Sequence, residues 1–190
     1  MGKMYNQITD ELSEWIAEQK VFFVATAASD GLINLSPKGL DTLKVLTPKR
    51  AVWLNLTGSG NETAAHLNEF DRITVMLCAF EGKPLILRIY GHARVIQINN
   101  PEWDNLIMLF PNSSGARQII DITVDQVQTS CGFGVPLLDF KGERDMLTKW
   151  SDSKGPEGIY DYWKEKNAVS LDGKPTGIPK MTSTSGEGHP

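Results

Sequence analysis

The stretch VWLNLTGSGNETAAHL, residues 52–67, decides how the rest of the chain is read. Residues 51–56 (AVWLNL) are apolar apart from Asn55 and form a strand pattern. Residues 57–63 (TGSGNET) follow as a Gly-rich loop. Ser59 stands three residues before Glu62, which predicts a capping box. Ala64, Ala65 and Leu67 then continue as a short helix. Glycines beside a capped helix start can turn several backbone N–H groups toward one anion. The same residues also fit a plain strand-to-helix turn, and Glu62 opposes an anion unless its carboxylate folds back onto the helix. A positive charge is needed elsewhere. Lys38, in Ser36-Pro37-Lys38-Gly39, follows a strand and can supply it. Lys38, the Ser36 hydroxyl and the loop amides would together make a charge-assisted phosphate anchor. Taken singly, such a lysine is only solvated.

The flanking sequence sets the fold class. Ile8, Leu12, Trp15 and Ile16 share one helical face, with Thr9 or Asp10 as the cap. Residues 21–27 (VFFVATA) and 32–36 (LINLS) read as strands around the turn Ser29-Asp30-Gly31. Further strands fall at 43–45, 72–80, 85–98 and 117–129, with Glu81-Gly82-Lys83-Pro84 as a hairpin loop. Pro101 opens a short helix carrying Trp103, Leu106, Ile107 and Phe110. Strands outnumber helices and hairpins join several of them, without a βαβ rhythm. The expected class is mainly β with peripheral helices, an antiparallel sheet curled into a barrel. Residues 1–150 form that domain. Residues 151–179 follow as a linker (151–156) and a short helix bearing Ile159, Tyr160, Tyr162 and Trp163, packed on the barrel or on a partner. Residues 180–190 read as a disordered tail.

A chain of 190 residues can bury a core as one domain. Its net charge of −4 argues against nucleic-acid or anionic-membrane partners, which need a basic face. No apolar run approaches the roughly 18–20 residues that span a bilayer. The first residues lack the apolar core of a secretory signal, and Asn6 stands where myristoylation wants Ser or Thr. Two cysteines build neither a disulfide framework nor a four-thiolate zinc site. The expectation is a cytoplasmic protein.

Hydrolytic and metal chemistry find little support. His66, His92 and His189 have no ligand at a metal-binding spacing, and no nucleophile elbow is present. Cys131, in the segment SCGFGVP (130–136), reads as a buried turn cysteine.

Four segments carry a family resemblance: FFVATAASDGLINLSPKG (22–39), VWLNLTGSGNETAAHL (52–67), RITVMLCAF (72–80) and LRIYGHARV (87–95). Over roughly residues 8–135 the chain resembles the pyridoxamine 5′-phosphate oxidase family of FMN-binding split barrels. The resemblance implies an antiparallel split β-barrel, a homodimer and FMN sites at the dimer interface. It carries over Asn34, Ser36 and Lys38 from one strand as cofactor-binding residues. Asn55, Thr57, Gly58, Ser59, Gly60, Asn61 and Thr63 follow from the strand end and loop. Arg88, Arg117 and Gln118 are added on a looser match, and Arg88 also suits a surface or ion-paired strand residue. Catalytic residues are not assigned.

The chain departs from the true oxidases at two places. Glu62-Thr63 stands near their phosphate-binding Arg-Lys pair, and residues 159–166 (IYDYWKEK) replace their Arg-x-His substrate motif. Pyridoxamine phosphate is therefore not the expected substrate. The implied activity is an FMN-dependent oxidoreductase acting on a small molecule, its partner a small-molecule substrate or a nicotinamide electron donor. Other readings are flavin binding without turnover, a split barrel holding haem or the deazaflavin F420, and a barrel without cofactor.

Overall fold

The structure, a computed structural model, describes residues 2–110 and 115–178. Eight antiparallel strands form one sheet: β1 (Lys3–Tyr5), β2 (Phe22–Thr26), β3 (Asn34–Lys38), β4 (Leu43–Thr47), β5 (Arg50–Leu56), β6 (Arg72–Cys78), β7 (Ile86–Gln97) and β8 (Ala116–Ser130). Their order is β3-β2-β6-β7-β8-β5-β4, and β1 also pairs with β8. The ends of that path, β3 and β4, do not pair with each other, so the barrel is split between them. The chain crosses the split within four residues. Leu40 (φ 59°) and Asp41 (φ 54°) there adopt left-handed backbone, which non-glycine residues seldom do. The Thr42 hydroxyl closes this turn by donating to Gly39 O at 2.6 Å.

The barrel core is aliphatic, built from alternate residues of the strands. Val24, Ala51, Val75, Leu87, Ile89, Ile120, Ile122 and Val124 are all fully buried. Helix α1 (Asp10–Glu18) lays Leu12 and Ile16 on one mouth, and its cap is the predicted one: Thr9 Oγ1 accepts from Leu12 N at 3.3 Å. Phe22 and Trp53 meet edge to face across the interior, ring centres 6.1 Å apart. Helix α3 (Trp103–Ile107) covers a second cluster around Leu54, Ile96 and Ile119.

The β7–β8 ladder shifts register between Tyr90 and Gly91. A Cβ at position 91 would stand 2.0 Å from Thr123 O, so only glycine lets the two backbones approach.

Several expectations need correction. The short strand β1 has no apolar pattern of its own and was not foreseen. The second hairpin strand runs Asn34–Lys38 rather than 32–36. Leu32 leaves the ladder because its N–H donates to the Asp172 carboxylate at 2.9 Å. The segment 151–156 is no linker. It lies inside α4 (Met146–Tyr162), which breaks only at Gly155 (φ 64°). Pro156 follows, where a proline without N–H suits the start of a second helical run. Cys131 is exposed, and the buried cysteine is Cys78. The tail 180–190 and His189 lie outside the described residues.

Candidate functional site

β3 faces a cavity with alternate residues. Asn34, Ser36 and Lys38 turn toward it, while Ile33 (78% exposed) and Leu35 (65%) point outward. Pro37 sits on this edge strand, where its missing N–H breaks no ladder bond. Opposite stand Asn55 from the end of β5, residues 58–61 of the loop, Thr63 of helix α2 (Glu62–Leu67) and Arg117 of β8. The partly open space between them is about 510 Å³, within the range of small-molecule sites.

Polar side chains fix the walls. Asn34 Nδ2 donates to Thr26 Oγ1 (3.3 Å) and Thr63 Oγ1 (3.1 Å), and its Oδ1 accepts from the Ser36 hydroxyl (2.9 Å). Asn55 Nδ2 donates to Asn61 Oδ1 and to Gln118 Oε1, both at 3.2 Å. Thr57 is buried behind the loop and donates to Gly115 O at 2.8 Å. The predicted capping box does not form. Asn61 is the helix cap and makes no side-chain capping bond. The Glu62 carboxylate instead accepts from Leu171 N at 3.1 and 3.2 Å.

Two cations serve this cavity. Arg117 is 2% exposed. Its Nη1 donates to Asn167 Oδ1 (2.6 Å) and Gly60 O (3.1 Å), and its Nη2 to Asn55 Oδ1 (3.3 Å). All three acceptors are neutral. Its Nε has no partner, and neither has Asn61 Nδ2. Burial lowers the guanidinium to about 10, so it stays charged at neutral pH. Half-buried Lys38 lies over the Trp53 ring at 5.0 Å. Burial, and then the charge of Arg117, lower its ammonium to about 8. Among the described residues neither cation is paired with a carboxylate. Buried donors normally find partners, and buried charges are normally paired. Two cations thus border one cavity without a carboxylate partner among the described residues.

The structure therefore brings together Asn34, Ser36, Lys38, Asn55, Gly58, Ser59, Gly60, Asn61, Thr63 and Arg117 around one cavity. Thr57 and Gln118 stand behind its wall. Arg88 lies elsewhere: it pairs across from Gln128 and donates to Ser130 Oγ at 3.3 Å. Nine residues of β7 separate it from Gln97, which pairs with Gln118, or roughly 30 Å of strand.

Sequence reasoning missed the C-terminal contribution. Trp163 Nε1 donates to Thr57 Oγ1 (2.8 Å), Asn167 Nδ2 donates to Gly58 O (3.0 Å), and Leu171 lines the cavity. Only the aromatic spacing of 159–163 hinted that this segment packs inward. His66 and His92 do not line the cavity. His66 is buried with its Nδ1 3.1 Å from Thr26 Oγ1, and His92 sits between Asp71 and Asp125. Among the described residues no cluster of potential metal ligands occurs, and no helix is long and apolar enough to cross a membrane.

Fold and site together define a split barrel with a polar cavity bordered by two cations. A sequence model of the pyridoxamine 5′-phosphate oxidase family matches residues 8–131, and the chain belongs to that family. It is 37% identical over 193 residues to the pyridoxamine 5′-phosphate oxidase family protein ustO of Aspergillus flavus, covering 92% of this chain and 78% of that one. Among solved structures it resembles HupZ of Group A Streptococcus (TM-score 0.51, 19% identity, 63% of this chain and 91% of that one). A candidate pyridoxamine 5′-phosphate oxidase of Lactobacillus delbrueckii is similar (TM-score 0.52, 16% identity, 65% and 94%). At such identities these two structures speak for the fold alone.

Proposed function

We propose that the protein binds FMN in this cavity and is an oxidoreductase acting on a small molecule. The observation that carries the reading is the pair Lys38, half-buried, and Arg117, buried, at one cavity without an acidic partner among the described residues. A dianionic phosphate would offset both charges. Helix α2 has only six residues, so its dipole adds little and the cations supply the positive potential. Ser36 and Asn34 along β3, with Asn55 and Thr63 opposite, offer hydroxyls and amides to a polyhydroxylated chain. Bound FMN would supply hydride acceptance and donation at its ring, while the protein orients it and tunes its potential. No general base is needed for hydride passage from a nicotinamide. Haem fits this cavity less well, because neither described histidine lines it.

A homodimer is part of the proposal. β3 is an edge strand whose outward face carries Leu35, next to exposed Leu32 and Ile33 just before it. Such a face is suited to burial against a second copy.

The test is the absorption spectrum of the purified protein, followed by anaerobic NADH or NADPH. Flavin absorption that bleaches with either donor supports the oxidoreductase. Flavin that binds and does not bleach leaves a binding protein without turnover. Failure to bind added FMN overturns the assignment. Sizing at micromolar concentration tests the dimer, and a monomer retaining flavin contradicts an interface site.

A further inference from the structure

Asn167 lies outside the residues matched to the family, in a C-terminal segment that folds back over the Gly-rich loop. It ends a π-helical turn, Trp163–Asn167, and is fully buried. Its amide bridges two parts of the cavity wall. Oδ1 accepts from Arg117 Nη1 at 2.6 Å and Nδ2 donates to Gly58 O at 3.0 Å. Its own backbone carbonyl is held by the Thr176 hydroxyl at 2.5 Å. The segment beyond is tied down as well. Leu171 N reaches Glu62, Asp172 accepts from Leu32 N, and Lys174 contacts Asp30 and Glu69.

The chemistry of that bridge matters. Arg117 needs an acceptor to fix its orientation, and a carboxylate would be the stronger one. A carboxylate would also cancel the charge the cavity holds. An amide orients the guanidinium without neutralising it, and its second end pins the loop carbonyl. We infer that Asn167 is a positioning residue: through its neutral side chain it aims Arg117 and the 58–60 loop at the phosphate of a mononucleotide. This rests on the proposed FMN site and adds to it a determinant outside the barrel.

The test compares FMN with riboflavin, which has the same ring and ribityl chain but no phosphate. Flavin fluorescence quenching gives both affinities for the wild-type chain, Asn167→Asp and Asn167→Ala. Asn167→Asp keeps the side chain's size, places a negative charge on Arg117 and, like Asn167→Ala, gives up the donor to Gly58 O. It should weaken FMN by about tenfold or more and leave riboflavin within about twofold, the scale of a lost charge-assisted bond. Asn167→Ala, which removes the acceptor without adding charge, should lower the FMN preference less. A merely structural role would weaken both ligands equally, and that result overturns the inference. An unchanged preference in both variants also overturns it while leaving the FMN site intact. A wild-type chain that does not prefer FMN to riboflavin removes the phosphate site and this inference together.

Discussion

Lys38 on β3 and Arg117 on β8 border one cavity, and the charge of Arg117 adds to burial in holding the Lys38 ammonium at about 8 rather than 10.5. Proximity of two like charges costs free energy in the free protein. Folding here accepts that cost, because β3 and β8 are each held by ladders to other strands.

The sign of the pH effect follows. Lys38 has a lower value folded than unfolded, so the folded chain binds fewer protons between about pH 8 and 10.5. Stability of the ligand-free protein therefore gains from Lys38 as pH rises through that window, and the full penalty persists below it. FMN binding should behave oppositely. Its phosphate favours the ammonium, so affinity falls above about pH 8, by up to roughly tenfold per pH unit. Calorimetry in buffers of different ionisation enthalpy should show proton uptake on binding there. Lys38→Arg should flatten the profile, and an unchanged profile in that variant would assign the dependence to another group.

Lys38→Ala removes a charge that has no protein acceptor to strand. The fold should tolerate it, whereas FMN affinity should drop by about 1.5–3 kcal/mol, the usual worth of a hydrogen bond to a charged group. Titration with FMN and thermal melting of the free protein separate the two effects. Unaltered FMN affinity would place Lys38 outside the site.

Much of the barrel was legible because strand alternation is a local signal. Val24, Val75, Ile89 and Ile120 are buried by their own positions in short repeating patterns. The association of residues 34–38 with 55–63 rested on the need for a positive charge and on the family resemblance, since nothing local brings β3 to the loop. The contribution of Asn167 was not legible. A single asparagine in YWKEKN has no periodic signal, and its partners lie 50 and 109 positions away. The capping box failed for a related reason. Glu62 had a local partner on paper, but the returning C-terminal segment offered Leu171 N instead.

Gly91→Ala tests whether the β7–β8 register shift is required. The added methyl group would meet Thr123 O inside van der Waals distance, in a ladder that cannot open without losing its neighbours' hydrogen bonds. A loss of at least about 2 kcal/mol is expected, or a fall in Tm of about 4 °C or more for a chain of this length. Chemical denaturation measures it, and a neutral result would show that the two strands separate freely at this point.

Lys174→Ala should loosen the C-terminal segment without unfolding the barrel. Lys174 Nζ lies 2.8 Å from Asp30 and 2.7 Å from Glu69, and its hydrogen bonds hold both carboxyls below their ordinary values of 3.8 and 4.5. Depressed carboxyls contribute above those values and lose their contribution as pH falls through the folded ones. Acidification below about pH 4 should thus mimic the substitution. Both carboxylates face solvent, so global stability should change little. The local effect is larger, because the same segment places Leu171 N on Glu62 and Asn167 on Arg117. Hydrogen exchange should speed up at Leu171, Lys174 and Thr176 in the variant, while amides of the β7–β8 ladder keep their protection. FMN should dissociate faster as the Arg117 brace relaxes. Unchanged exchange at Leu171 would mean that Glu62 and Asn167 secure the segment without the ion pairs.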